Sequence, residues 1–196
     1  MYPAYHVFDL SCSQEVPAEI LPATESDFRL TVQDCWQTSW MSKYLQEPFL
    51  QKYALKIAAT GELVGLGAYR NMPEGFLVYI EYIESAPHSN PTLSKNRKYR
   101  GIGAALLAYG VQLSIDSGYG GTIYLKAKTS EIREHYIRDF GAIPFSHRAV
   151  SYTHLSDPYG DFSGLERAIN CRRGRVPWPP PPAAGPRWSR GRRCPG

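Results

Sequence analysis

Residues 1–155 predict an α/β domain built on a central mixed, mostly antiparallel β-sheet flanked by helices on both faces. Three observations carry this expectation. Apolar residues alternate at strand period through much of the first half, two segments of the second half have helical period, and glycines stand at the junctions. Strands linked by crossover helices need a sheet covered on both sides.

The elements follow in order. Tyr5–Leu10 reads as a short strand leading into a loop. A helix is expected from about Asp27 to Tyr44, because Phe28, Val32, Cys35, Trp36 and Trp40 recur at helical spacing. Tyr53, Leu55 and Ile57 alternate, Thr60-Gly61-Glu62 turns, and Leu63–Tyr69 returns, which is a β-hairpin. Phe76–Ser85 is a longer strand rich in Tyr, Ile and Val, followed by a polar loop from Pro87 to Arg100. A helix then runs from Gly101-Ile102-Gly103 to Ser117 and stops at Gly118. Thr122–Ala127 is a strand, Glu131–Phe140 a helix stopped by Gly141, and Ile143–Thr153 a weaker strand.

Residues 156–196 read as a Pro/Arg/Gly-rich disordered tail. Its last thirty residues, 167–196, hold seven Pro and eight Arg with no Lys and no acid, and cannot bury enough apolar surface to offset their ordering entropy. That tail explains the net charge of +4: without it, 14 basic groups face 18 acidic ones, which gives −4. The folded part therefore carries no nucleic-acid footprint and mildly favours a cationic small molecule as partner. No apolar run approaches the ~20 residues of a membrane helix, and the N-terminus lacks a basic leader, so a cytoplasmic location is expected. Cysteines 12, 35, 171 and 194 have no metal-ligand spacing and read as free thiols, so no metal is expected.

The strongest chemical signal is Lys98-Tyr99-Arg100-Gly101-Ile102-Gly103-Ala104, between a strand and a helix. Glycines allow close backbone approach, and a helix start offers unpaired N–H groups at the positive end of its dipole. A pyrophosphate fits there, with Lys98 and Arg100 adding charge and Lys95 and Arg97 nearby. On the glycine pair alone, a plain turn with solvated charges is the better reading. A dinucleotide-binding reading fails: the third glycine and the following acid are missing, and the motif comes halfway along the chain.

Motif and element order together resemble the GNAT superfamily of N-acetyltransferases, over roughly residues 50–145 and more weakly over 5–49. The family's loop, Gln/Arg-x-x-Gly-x-Gly/Ala, stands here as Lys98-x-x-Gly101-x-Gly103. Lysine keeps the charge but loses the planar fork. The resemblance implies the GNAT fold, with acetyl-CoA as cosubstrate and a small-molecule or peptide amine as acceptor. It implies that backbone near Ile83 holds the thioester and pantetheine, and that N–H groups from Tyr99 through Ala104 hold the pyrophosphate. Residues Pro87–Asn96 would form a lip. Thr129 stands where the family often has the Asn that contacts the cofactor arm.

Tyr136, in His135-Tyr136-x-x-x-Phe140-Gly141, stands at the family's tyrosine and would donate to the departing sulfur. On spacing alone the Ile132, Tyr136, Phe140 stripe reads as packing. An ammonium acceptor must lose a proton, which a carboxylate could take; Glu81 and Glu84 on the long strand are the candidates. Three residues apart, they are expected on opposite faces, Glu81 with Ile83 and Ser85, and Glu81 is preferred as the base. His88 and His135 are weaker candidates. Trp36, Trp40 and Tyr44 are core or acceptor pocket. Two other functions fit the same residues: an inactive acyl-CoA-binding module, and an Arg-tail nucleic-acid-binding protein. A homodimer is compatible with either.

Overall fold

The computed structural model describes residues 5–144 and 149–153, with side chains described for 5–32 and 34–144. The tail expected over 156–196, with Cys171 and Cys194, lies outside the described residues.

The chain opens with β1 (Tyr5–Asp9), which pairs antiparallel with β2 (Gln14–Pro22). The sequence reading placed a loop where β2 lies. Val16, Ala18 and Ile20 do alternate there, but Pro17 and Pro22 argue against a strand. The structure accommodates Pro17, whose carbonyl accepts from Ala58 N at 3.0 Å.

Helix α1 spans Glu25–Gln33 and is shorter than expected. Thr24 caps it with a capping box closed by Asp27, whose carboxylate also pairs with Lys56 at 2.7 Å. The helix ends because Cys35 turns left-handed at φ 54°, a conformation that cannot continue a right-handed helix. The tryptophans expected on this helix therefore reach the core from the segment after it. Trp40 is fully buried and stacks on Phe28 at 6.5 Å, with Leu45 and Leu50 beside them.

The hairpin stands as predicted: β3 (Gln51–Ile57) and β4 (Leu63–Met72) pair antiparallel, and β4 pairs with β5 (Leu77–Ser85). The loop after β5 contains a short strand not foreseen, β6 (Tyr99–Arg100), which pairs with β1 at the far edge of the sheet. Helix α2 (Ile102–Asp116) then recrosses the sheet to β7 (Thr122–Lys126), which lies parallel to β5. Helix α3 (Ser130–Phe140), β8 (Ile143–Pro144) and β9 (Ala149–Thr153) follow.

The sheet order is β6-β1-β2-β3-β4-β5-β7-β9-β8, with β5–β7 the one parallel pairing among the described residues. One face buries the Phe28–Trp40 cluster; the other buries Leu106, Leu107 and Val111 of α2 against Val64, Ile80 and Leu125. The expected layers are therefore present. No described helix is long and apolar enough to cross a membrane.

Candidate active site

The site begins with an irregularity in β5. Tyr69 pairs with Ile80 and Ala68 with Tyr82, so Glu81 is an extra residue opposite no partner on β4. A bulge bends its strand and increases the local twist. On the other edge of β5, pairing with β7 runs through Val78–Ile123, Tyr79–Tyr124 and Ile80–Leu125, and stops there. Beyond Ile80 the ladder between the two parallel strands ends. The edge of β5 from Glu81 to Ser85, Ile83 included, has no strand partner on that side among the described residues. Unpaired strand edge can receive another extended chain.

The bulge also overturns the expectation that Glu81 and Glu84 face opposite ways. An inserted residue shifts the two-residue alternation by one. Ile80 and Ile83 both pack toward α2, whereas Glu81 and Glu84 both reach the α1 side. Glu81 pairs with Arg70 at 2.8 Å and accepts from the Tyr44 hydroxyl. Arg70 in turn lies over the Phe49 ring, 4.3 Å from its centroid. Glu84 is buried and accepts from the Gln37 backbone N–H at 2.7 Å and from Trp40 Nε1 at 3.0 Å. Burial pushes its carboxyl above the ordinary range, against the pull of those donors. Glu84 thus anchors the segment after α1, and its bond to Gln37 takes a backbone donor that a longer helix would have used.

Tyr82 lies beside these carboxylates. Its hydroxyl bonds Thr38 Oγ1 at 2.6 Å and accepts from Lys128 Nζ, which also sits 4.3 Å from the ring centroid. Lys128 follows β7, so this contact links the end of β7 back to β5 beyond their last ladder pair.

The glycine loop lies at the start of α2. Gly101 caps that helix at φ 90°, where an L side chain would be strained, and no side chain caps the first turn. The first main-chain bond is Ala105 N to Gly101 O at 2.9 Å, which leaves the N–H groups of Ile102, Gly103 and Ala104 without helical partners. A Cβ built on Gly103 would meet nothing within 4 Å.

The flanking residues are more occupied than the sequence suggested. Lys98 Nζ holds both oxygens of Glu62, at 2.7 and 2.8 Å, rather than standing free beside the loop. Glu62 is kept below its ordinary value despite burial by its bonds to Lys98 and to the Tyr99 hydroxyl. Tyr99 N–H donates to Ser89 Oγ at 3.1 Å, and Arg100 lies over Phe8 at 5.0 Å. His88 joins this group through Ser89 at 2.7 Å and Glu62 at 3.4 Å. Tyr99 N–H is therefore occupied, while those of Ile102, Gly103 and Ala104 stay without helical partners.

On the α2 side, Tyr136 of α3 packs against the cluster containing Ile80 and Leu125, the last pair of the β5–β7 ladder. Burial pushes its hydroxyl up to about 12, so it stays protonated at physiological pH. No hydrogen bond engages that hydroxyl among the described residues. Thr129 serves as the α3 N-cap, accepting from Ile132 N at 3.3 Å. His135 bonds Asp139 at 2.6 Å, one turn along the helix. Among the described residues no group of three His, Cys, Asp or Glu could hold a metal.

The sequence reading missed Arg70, Tyr82, Lys128 and Glu62. Each gains its position from a partner more than ten residues away.

No protein-family model and no curated protein matches the chain. Solved structures do. RimJ of Mycobacterium smegmatis in complex with CoA-disulfide aligns at 15% identity over 86% of this chain and 93% of its own, TM-score 0.50. A GNAT family acetyltransferase from Brucella melitensis in complex with acetyl-CoA aligns at 14% identity over 74% and 93%, TM-score 0.44. Nourseothricin acetyltransferase aligns at 18% identity over 54% of this chain, which spans 64% of that protein's length, TM-score 0.39. The chain has the fold of the GNAT acetyltransferases.

Proposed function

We propose that this chain with the GNAT fold is an acetyl-CoA-dependent N-acetyltransferase, comprising residues 1–155, that passes the acetyl group directly to a small-molecule or peptide amine in the cytoplasm. The observation that carries the reading is the unpaired edge of β5 beyond its ladder with β7, with the uncapped start of α2 nearby, where Ile102 and Ile83 share one apolar cluster.

The residues present suit the cosubstrate. The N–H groups of Ile102, Gly103 and Ala104 suit a pyrophosphate, and open space at Gly103 lets it approach the backbone. The unpaired edge around Ile83 suits the two amides of a pantetheine arm, which would lie along it as an added strand.

In this reading the end of the β5–β7 ladder leaves an opening between the two faces of the sheet. Tyr136 flanks it on the α2 side and donates a hydrogen bond or proton to the sulfur as the C–S bond breaks. Glu81 flanks it on the other side, oriented by Arg70 and Tyr44, and takes the ammonium proton directly or through one water. The freed lone pair forms the new C–N bond, the leaving group departs as the thiol, and the second proton lost by the attacking nitrogen replaces the one that Tyr136 gives. Glu84, enclosed by Trp40 and Gln37, holds the acceptor-side segment in place.

Acetyl-CoA that binds only the folded state adds RT ln(1 + [L]/Kd), about 2.7 kcal/mol at a hundredfold excess over Kd. The expected result is a rise in Tm with acetyl-CoA, followed by CoA thiol release in a panel of amines. No shift and no heat of binding would overturn the proposal.

A further inference from the structure

The charges bordering the opening describe the acceptor. Tyr124 packs against Tyr79 at 5.5 Å on the α1 side of the sheet, and Lys126, two residues on, shares its face. Lys128 reaches Tyr82 on that side, and Arg70 lies beside Glu81. The strands bordering the acceptor side thus present Arg70, Lys126 and Lys128 against one carboxylate, Glu81, whose side chain is only 7% exposed and whose oxygens Arg70 and Tyr44 already engage. Glu84, the other acid, is enclosed by its donors. Neither Lys126 nor Lys128 lies within ion-pair distance of a carboxylate among the described residues, although Lys128 is near enough to Glu84 to pull on its carboxyl. Arg70 Nε is buried without a hydrogen-bond partner.

A plain ammonium or polyamine entering this face would meet like charge, which is costly in a partly desolvated cleft. The domain's overall acidity favoured a cationic acceptor, but charges within a Debye length of the amine decide, and here they are positive. Resting on the acetyltransferase reading above, we infer that the acceptor amine carries an anionic group, a carboxylate or a phosphate, which Lys128 receives at the mouth of the opening. The ammonium then meets Glu81 while its own anion screens the lysines. Nearby cations also favour the neutral amine that must attack. Lys128 is a specificity-determining residue in this scheme, held ready by Tyr82 and Thr38.

The test uses the full chain, acetyl-CoA and matched amine pairs: phenylalanine against phenylalaninamide, phosphoethanolamine against ethanolamine, with spermidine as the cationic arm. The readout is CoA thiol release. A charge-assisted contact in a partly buried site is expected to favour the anionic member about tenfold or more in kcat/KM. The amide's more readily deprotonated amine works against that result. Lys128→Gln should bring the ratio close to unity, and Lys128→Arg should retain it. The pair that responds identifies the anion as carboxylate or phosphate. Preference for a neutral member or spermidine, an unchanged ratio in Lys128→Gln, or turnover with no anionic amine would overturn the inference. Calorimetry with acetyl-CoA separates the two proposals. Without binding both fall; with binding intact and the anionic amines refused, only this one does.

Discussion

Gly101 and Gly103 stand two residues apart, and the structure gives substitutions at them opposite consequences. Gly103 is the second residue of α2, and a Cβ there would meet nothing within 4 Å. Replacing it with Val costs no packing. Glycine is about 0.8–1.0 kcal/mol worse than Ala in a helix and ordinary residues at most about 0.7 worse, so Gly103→Val should match or slightly exceed wild-type stability. For a domain of this size a few tenths of a kcal/mol is a Tm change of about 2 °C or less. Acetyl-CoA binding should nonetheless weaken at least about tenfold, roughly 1.4 kcal/mol, because the branched side chain fills the space through which a pyrophosphate reaches the N–H groups. Gly101→Val is the contrast. At φ 90° the side chain is strained by about 1–2 kcal/mol, so Tm falls first and binding with it. Thermal melts and calorimetry on both variants check this. Normal binding by a stable Gly103→Val protein would reduce the loop to a structural turn.

Tyr136→Phe keeps the ring that packs on Phe140, so acetyl-CoA affinity should hold while turnover drops toward the lower end of the ~10²–10⁴-fold range for acid–base groups; equal turnover would leave the hydroxyl without a chemical role. The thiol is a fair leaving group, which is why the lower end is expected. Glu81→Gln should cost turnover strongly near neutral pH, and the deficit should shrink as pH nears ~10, where a lysine-like amine ionises unaided. A deficit constant with pH would remove Glu81 as the base. Glu84 supplies a stability test. Its folded-state value is raised by burial, so its contribution is fully present below the unfolded carboxylate range near ~4.3 and is lost as pH climbs through the folded value. Glu84→Gln is neutral throughout, so its Tm–pH curve should be flatter over that stretch; parallel curves would show that Glu84 titrates normally.

Local sequence was enough for what depends on near neighbours. The hairpin around Gly61 and the glycine-stopped helices α2 and α3 follow from turn geometry and residue periodicity. The glycine pair at a helix start was legible for the same reason, since N–H groups and a left-handed cap are properties of a few consecutive residues. Tertiary structure decided where alternation fails and where a charge is spent. Helix α1 stops at Gln33 while the apolar spacing continues, and the buried Glu84 carboxylate claims the Gln37 N–H and the Trp40 indole nitrogen. One extra residue opposite β4 moves Glu81 onto the face of Glu84, a shift no count along β5 alone could reveal. Lys98 stands in place of Gln or Arg at the head of the glycine loop and keeps the charge, yet its ammonium lies on Glu62, thirty-six residues away. Spacing along a chain fixes which way a side chain starts out, but bulges, ion pairs and ladder ends arise between segments, so the partners that set the site's charge appear only once the chain is folded.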